Sequence, residues 1–306
     1  MPSAPALGSH PVDNRLSDLQ LLYLRLLVGA ITRSVTGVDF WHLDARSPMQ
    51  RMTITPVQRL LGRFRLAVVA PERYGEEEQL ESIAVSPADA DTMMGVRRTT
   101  HLVRMLTALH VDAVPGDLIE AGCWRGGSVV LMKGFLEAVA DPERTVVAID
   151  SFAGYPPPPP GAPRQMRELH RKARVFDVSR AEVERRIARY GFLDEQVRIV
   201  EGWLDDVLPT LDIDKIALLK IDVDGYEATL ATLEHLWPKL SDGGLVYVED
   251  GNTPGARRAI TDFRSHIDGD AGPLTWVPQD NQMAQWWVKR PRDGSTVTTL
   301  PGEPVS

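Results

Sequence analysis

Residues 117–128, Asp-Leu-Ile-Glu-Ala-Gly-Cys-Trp-Arg-Gly-Gly-Ser, constrain the fold more than any other stretch of the chain. Leu118 and Ile119 are the apolar body of a short buried strand, and Glu120 stands at its carboxyl end. Gly122, Gly126 and Gly127 let the backbone bend and come close to a ligand. Ser128 opens an apolar run over 129–140 that reads as a helix. In open parallel sheets, ligands bind outside the carboxyl ends of the strands, where such a turn lies. A cofactor is therefore expected here.

The rest of the chain supports that frame. Residues 145–149, 197–200, 216–221 and 245–248 read as strands, with helical patterns over 180–190, 228–240 and 257–266. Alternating strands and helices predict a parallel sheet with crossover helices. Residues 274–277 and 285–288 close it as an antiparallel edge, which makes seven strands. The fold class is α/β, a mostly parallel Rossmann-like sheet with a helical N-terminal extension. Ser241-Asp242-Gly243-Gly244 is read as the turn that closes the helix over 228–240.

Before the glycine turn, residues 1–14 read as a loose arm. A helix over 15–35 carries Leu19, Leu22, Leu26 and Ile31 on one face. A short helix over 56–64 follows, and Glu76 to Glu78 read as a solvated charge run. A helix over 88–113 has Met94, Leu102, Met105, Leu106 and Leu109 as its stripe, and Pro115-Gly116 stops it. Tyr155 and the prolines from 156 to 160 form a loop, and 164–174 is basic with a helical pattern. The expected division is an arm and helical extension over 1–87, a cofactor-binding domain over 88–290, and a disordered tail over 291–306.

Composition narrows the function classes. With 306 residues and 43% hydrophobic content, the chain can bury a sizeable core. A formal net charge of -8 without a basic stripe argues against a nucleic-acid partner. The single cysteine, Cys123, excludes an intramolecular disulfide and reads as a small packed residue in a cytoplasmic protein. No signal peptide is expected from the polar, Pro- and Ser-bearing N-terminus. The apolar run over 19–31 is broken by Arg25 and is too short for a membrane span.

The chemistry sits at the strand ends. Four strands end in acids: Glu120, Asp150, Asp222, and the pair Glu249-Asp250. Asp150 follows the second strand, where an acid grips the hydroxyls of a ribose. The turn Gly122-Cys-Trp-Arg-Gly-Gly lacks the G-x-G-x-x-G spacing that brings backbone to a pyrophosphate. An acid just before that turn would repel phosphates and suit an ammonium group instead. S-adenosylmethionine has the ribose and the ammonium and no phosphate. Asp222, Asp224, Glu249 and Asp250 could converge on one hard cation, since neighbouring strand ends lie about 5 Å apart. All-oxygen ligands favour Mg²⁺, Mn²⁺ or Ca²⁺. The alternative is that these acids only cap loops or bond backbone amides.

At this point the residues resemble a known family. Ala90-Asp-Thr-Met-Met-Gly-Val-Arg-Arg, Val114-Pro-Gly-Asp-Leu-Ile-Glu-Ala-Gly-Cys-Trp-Arg-Gly-Gly, Asp150-Ser-Phe-Ala-Gly-Tyr-Pro, Glu201-Gly-Trp and Pro238-Lys-Leu-Ser-Asp-Gly-Gly resemble the macrocin O-methyltransferases over about 88–290. The resemblance implies a class I methyltransferase fold, S-adenosylmethionine and Mg²⁺ as cofactors, and a small natural-product acceptor methylated on a sugar or diol hydroxyl. It implies Thr92 and Met93 covering the cofactor, and Glu120, Gly122, Arg125, Gly126 and Ser128 at its methionine end. It further implies Asp150, Ser151 and Phe152 at the ribose and Trp203 near the adenine. Asp222, Glu249 and Asp250 fall on the metal-binding acids, and Asp224 on the general base beside Asp222. The family usually has Asp-Gly-Asp and Asp-Asp where this chain has Asp222-Val-Asp224 and Glu249-Asp250.

Lys220-Ile-Asp-Val-Asp-Gly-Tyr-Glu also resembles FkbM-type methyltransferases, so a metal-independent enzyme is one alternative. A nicotinamide enzyme and a non-catalytic Rossmann-like binding protein are the others. A homodimer or higher homo-oligomer is the expected assembly. Among the remaining residues, His170 is read as solvated, Tyr155 as a loop aromatic able to gate the site, and Arg257 and Arg258 as exposed. Trp286 and Trp287 alternate across a strand, with one in the core and the other toward a neighbour or the site.

Overall fold

The computed structural model describes residues 16–34, 39–42, 48–64, 69–72, 90–296 and 300, apart from 159, 162, 165, 166, 168, 169, 171, 172, 268, 279 and 281. In chain order the elements are α1 (Asp18–Ile31), β1 (Asp39–His42), α2 (Pro48–Gly62), β2 (Val69–Glu72), α3 (Val96–Val111), β3 (Asp117–Ala121), α4 (Gly127–Val139), β4 (Val146–Asp150), α5 (Arg180–Arg189), β5 (Val197–Glu201), α6 (Leu204–Val207), β6 (Ile216–Ile221), α7 (Tyr226–Leu236), β7 (Leu240–Val248), α8 (Pro254–Arg264), β8 (Thr275–Trp276) and β9 (Gln285–Val288).

The main sheet has seven strands in the order β5-β4-β3-β6-β7-β9-β8. Strands β3 to β7 pair in parallel, and β9 runs antiparallel to both β7 and β8. The antiparallel strand is thus one place in from the edge. The chain leaves β3 toward β4 and β5, then returns to the other side of β3 as β6. The strand order reverses between β3 and β6, and an open α/β sheet carries its ligand at that reversal.

Successive strand residues point to opposite faces, so each strand feeds two cores. Leu118, Leu218, Tyr247 and Trp286 pack with α1, α3, α4 and α5 on one face. Ile119, Leu219, Val246 and Trp287 pack with α7 and α8 on the other. Both tryptophans are therefore core residues, which corrects the expectation that one of them faces outward: helices cover both faces here.

Several boundaries differ from the sequence reading for local reasons. Helix α1 starts at a capping box, in which the Gln20 amide donates to Ser17 Oγ and the Ser17 amide to Gln20 Oε1. Its buried face is Leu24, Leu27, Val28 and Ile31, whereas Leu19, Leu22 and Leu26 are exposed. The chain has two leucine stripes here, and helical spacing alone does not rank them. Helix α3 begins at 96, because Gly95 sits extended as its N-cap and residues 90–95 form a strap instead. Residues 241–244 extend β7 rather than ending a helix. The Gly243 amide donates to the Lys289 carbonyl, so the adjoining chain supplies strand pairing that no local propensity reveals. The antiparallel pair β1–β2 had no sequence signal. The run Glu76 to Glu78 lies outside the described residues, as do residues 1–14. Of the tail, Leu300 is buried in the core on the α1, α3, α4 and α5 face of the sheet.

Candidate active site

A cavity of about 520 Å³ opens at the carboxyl ends of β3, β4, β6 and β7. Among its walls are Thr92, Met93, Gly122, Ser128, Asp150, Ser151, Trp203, Asp222, Asp224, Glu249 and Asp250, eleven of the residues singled out from sequence. Glu120, Arg125, Gly126 and Phe152 do not line it. Their places explain why.

Glu120 is 1% exposed and lies beneath the floor, 2.8 Å from the Lys220 ammonium of the neighbouring strand. The same ammonium donates to Asp222 Oδ2 at 3.0 Å. Burial raises the Glu120 carboxyl, and Lys220 opposes that shift. Burial also disfavours the Lys220 charge, but Asp222 and Glu120 outweigh it and hold this ammonium well above its ordinary value. A line of charge therefore runs from the glycine strand to the Asp222 strand end. Arg125 turns away from the cavity, donates to the Ala90 carbonyl at 2.8 Å and lies over the Trp124 ring. Gly126 is the left-handed N-cap of α4. Phe152 is buried under the β4 end, its amide donating to Asp150 Oδ1 at 2.9 Å.

The turn itself needs glycine at Gly122. Its φ is +84°, and a Cβ there would stand 2.0 Å from the Asp222 carbonyl oxygen. Two backbones meet at this point, and only a missing side chain lets them. Asp150 fastens the same turn from the other side. Its Oδ2 accepts the amides of Cys123 and Trp124 at 2.9 and 3.1 Å.

At the far wall, four acids meet. Asp250 is mostly buried; burial, then the charges of Asp222 and Asp224, push its carboxyl up to about 10. Glu249 is 3% exposed and bonds the Arg98 guanidinium through Oε1, with the buried Tyr247 hydroxyl also set against its carboxylate. Burial raises its carboxyl against the pull of Arg98 and Lys220. Asp224 holds a left-handed φ of +56°, which costs about 1 kcal/mol for a non-glycine residue and aims its side chain into the cavity. Among the described residues no three His, Cys, Asp or Glu groups form a ready-made metal cage.

Three residues that sequence reasoning passed over or weighed lightly belong to the site. Tyr155 donates its hydroxyl to Asp224 Oδ2 and packs edge-on against Phe176, another wall residue. Arg98 reaches the cavity from α3. Cys123, read as a packed residue, is buried, and burial followed by the Asp150 charge holds its thiol well above the usual range. The Asp-Val-Asp-Gly-Tyr pattern marked the strand end but carried no signal for Tyr155, which lies 69 residues away in sequence.

The family model described as macrocin O-methyltransferase matches residues 20–289. The demethyldecarbamoylnovobiocin O-methyltransferase of Streptomyces niveus is 42% identical over 185 residues, covering 60% of this chain and 71% of that protein. The mycinamicin III 3''-O-methyltransferase of Micromonospora griseorubida is 37% identical over 193 residues, covering 61% and 76%. The solved structure of the O-methyltransferase NovP superposes with a TM-score of 0.71 at 34% identity, over 89% of this chain and all of that one. No described helix is long and apolar enough to cross a membrane.

Proposed function

The chain belongs to the macrocin O-methyltransferase family and is an S-adenosylmethionine-dependent O-methyltransferase; from that premise we propose that it methylates a hydroxyl of a sugar or diol on a small natural product, with Mg²⁺ as its second cofactor. The observation that carries the reading is the convergence of the glycine turn, Asp150 and the acids Asp222, Asp224 and Asp250 on one cavity. Two relatives are named for demethyldecarbamoylnovobiocin and mycinamicin III, which supports the acceptor class.

In this reading Gly122 and Ser128 face the methionine end, Thr92 and Met93 cover it, Asp150 and Ser151 meet the ribose, and Trp203 borders the adenine. Glu120 works from behind the wall by anchoring Lys220, and Lys220 steadies Asp222. Arg125, Gly126 and Phe152 shape the turn and the β4 end without lining the cavity.

Asp224 takes the proton of the acceptor hydroxyl. The oxygen forms a bond to the sulfonium methyl carbon as the carbon–sulfur bond breaks, and S-adenosylhomocysteine leaves. Alignment of oxygen, carbon and sulfur in one cavity supplies much of the rate. The acid cluster suits a hard cation: Asp222, Asp224, Glu249 and Asp250 line one cavity wall, and burial, then the charges of Asp222 and Asp224, raises the Asp250 carboxyl. Asp222, Glu249 and Asp250 would hold Mg²⁺, which when bound lowers the pKa of a ligated hydroxyl.

The test combines calorimetry with S-adenosylmethionine and release of S-adenosylhomocysteine from demethyldecarbamoylnovobiocin and mycinamicin III as probe acceptors, with Mg²⁺ or with a chelator. Micromolar cofactor binding, weakened in Asp150→Ala, and turnover lost in Asp224→Asn and on chelation are expected. Turnover unchanged by chelation selects the metal-independent alternative. Absence of cofactor binding under every condition overturns the reading.

A further inference from the structure

The strap over residues 90–95 is fastened more heavily than a loop of its length requires, and its fastenings converge on Asp91. The Asp91 carboxylate is 4% exposed. Its Oδ1 accepts from Arg186 at 2.7 Å and its Oδ2 from the Tyr190 hydroxyl at 2.6 Å. Its amide donates to the Ile31 carbonyl at the end of α1, at 3.0 Å. Its carbonyl accepts the Gly127 amide, the first residue of α4, at 2.9 Å. A Cβ on Gly127 would stand 2.5 Å from that carbonyl, so strap and glycine turn are in backbone contact.

One side of the strap is cavity wall, through Asp91, Thr92, Met93 and Met94. Arg186 lies in α5 and Tyr190 caps that helix, and neither lines the cavity. Both meet the cavity wall at Asp91. Burial raises the Tyr190 phenol, with the Asp91 hydrogen bond adding to it, so this donor stays protonated at working pH. Charge-assisted bonds of this kind are about twice as strong as neutral ones.

We propose that Asp91 is a positioning residue for S-adenosylmethionine: held by Arg186 and Tyr190, it fixes the height of Thr92 and Met93 over the glycine turn and so sets how long the cofactor stays. The proposal rests on the cofactor site described above. It assigns α5, a helix on the outer layer, a role in cofactor retention.

The test is calorimetry and stopped-flow displacement with S-adenosylmethionine on Tyr190→Phe, Arg186→Met and Arg186→Lys, beside thermal unfolding without ligand. Tyr190→Phe and Arg186→Met are expected to weaken binding about tenfold each, about 1.4 kcal/mol, through faster dissociation. Arg186→Lys keeps one donor to Asp91 and is expected to return affinity to within threefold of wild type. A purely structural role would lower the unfolding midpoint and leave the dissociation rate alone. Wild-type affinity and dissociation rate in both Tyr190→Phe and Arg186→Met overturn the proposal. If Asp150→Ala loses affinity while the α5 variants do not, the cofactor site stands and the clamp falls. If the wild type binds no S-adenosylmethionine, both fall together.

Discussion

Replacing Lys220 by methionine should destabilise the protein severely, and replacing its partner as well should restore it. Lys220 is fully buried, and Glu120 beside it is 1% exposed. Removing one member of such a pair leaves an uncompensated charge in the core, at a cost of about 3–5 kcal/mol. Asp222 also loses a donor, but its side chain is 34% exposed and water replaces the bond. The double variant Glu120→Met/Lys220→Met removes both members of this pair and fills a similar volume, while Glu249 keeps Arg98, so it should lie within about 1 kcal/mol of wild type. With a urea slope on the order of 4 kcal/mol/M for a chain of this size, the single variant should move the midpoint down by about 1 M. Urea unfolding followed by far-UV circular dichroism on the four proteins of the cycle measures this directly. A single variant that loses less than about 1 kcal/mol, or a double variant as unstable as the single, would refute the account of this pair.

Other outcomes follow from the same structure. Burial depresses the His101 imidazole to about 3, where it packs at a tilt against Trp286 and Tyr247. Its folded value lies below the unfolded 6.5, so its contribution is complete above pH 6.5 and fades as pH falls toward 3. At pH 5 the loss is about 2 kcal/mol relative to pH 7.5, and His101→Phe should flatten the urea midpoint between those pH values. Asp250 is raised, to about 10, so folding weakens as pH rises from about 4 to 10. Asp250→Asn should therefore raise the metal-free melting temperature at pH 8, read by differential scanning fluorimetry, while abolishing turnover. Gly122→Ala adds a Cβ where 2.0 Å is available and should weaken S-adenosylmethionine binding at least about tenfold in calorimetry.

Much of this architecture is legible in residues 117–250 because strand period, helix period and strand-end acids all repeat there. Residues 216–221 form the strand that the short, mostly apolar run Ile-Ala-Leu-Leu-Lys-Ile ending at Asp222 predicts. Helix α1 shows the opposite case. Leu22 and Leu26 fit helical spacing as well as Leu24 and Ile31, and only the α4 surface decides which pair is buried. Pairings across long sequence gaps left no local trace. Asp91 meets Arg186 and Tyr190 nearly a hundred residues later, and Lys220 meets Glu120 from the next strand. The acids of the site were visible as types at strand ends. Their charges were not, because a carboxyl buried beside Arg98 and one buried beside other carboxyls look alike in sequence.

At the contact between Gly122 and the Asp222 carbonyl, the two halves of the sheet meet backbone to backbone. A joint of this kind demands glycine at 122 but engages only the main chain at 222, so the side chain at 222 is free of it. The half that follows, from β6 onward, can exchange its residues toward new acceptors without disturbing the turn that precedes it, as long as the peptide path at 222 is kept. Recombination between relatives should therefore succeed at crossovers between β5 and β6 and fail where an insertion shifts that path. A scaffold joined in this way can diversify what it methylates while conserving how it holds the methyl donor.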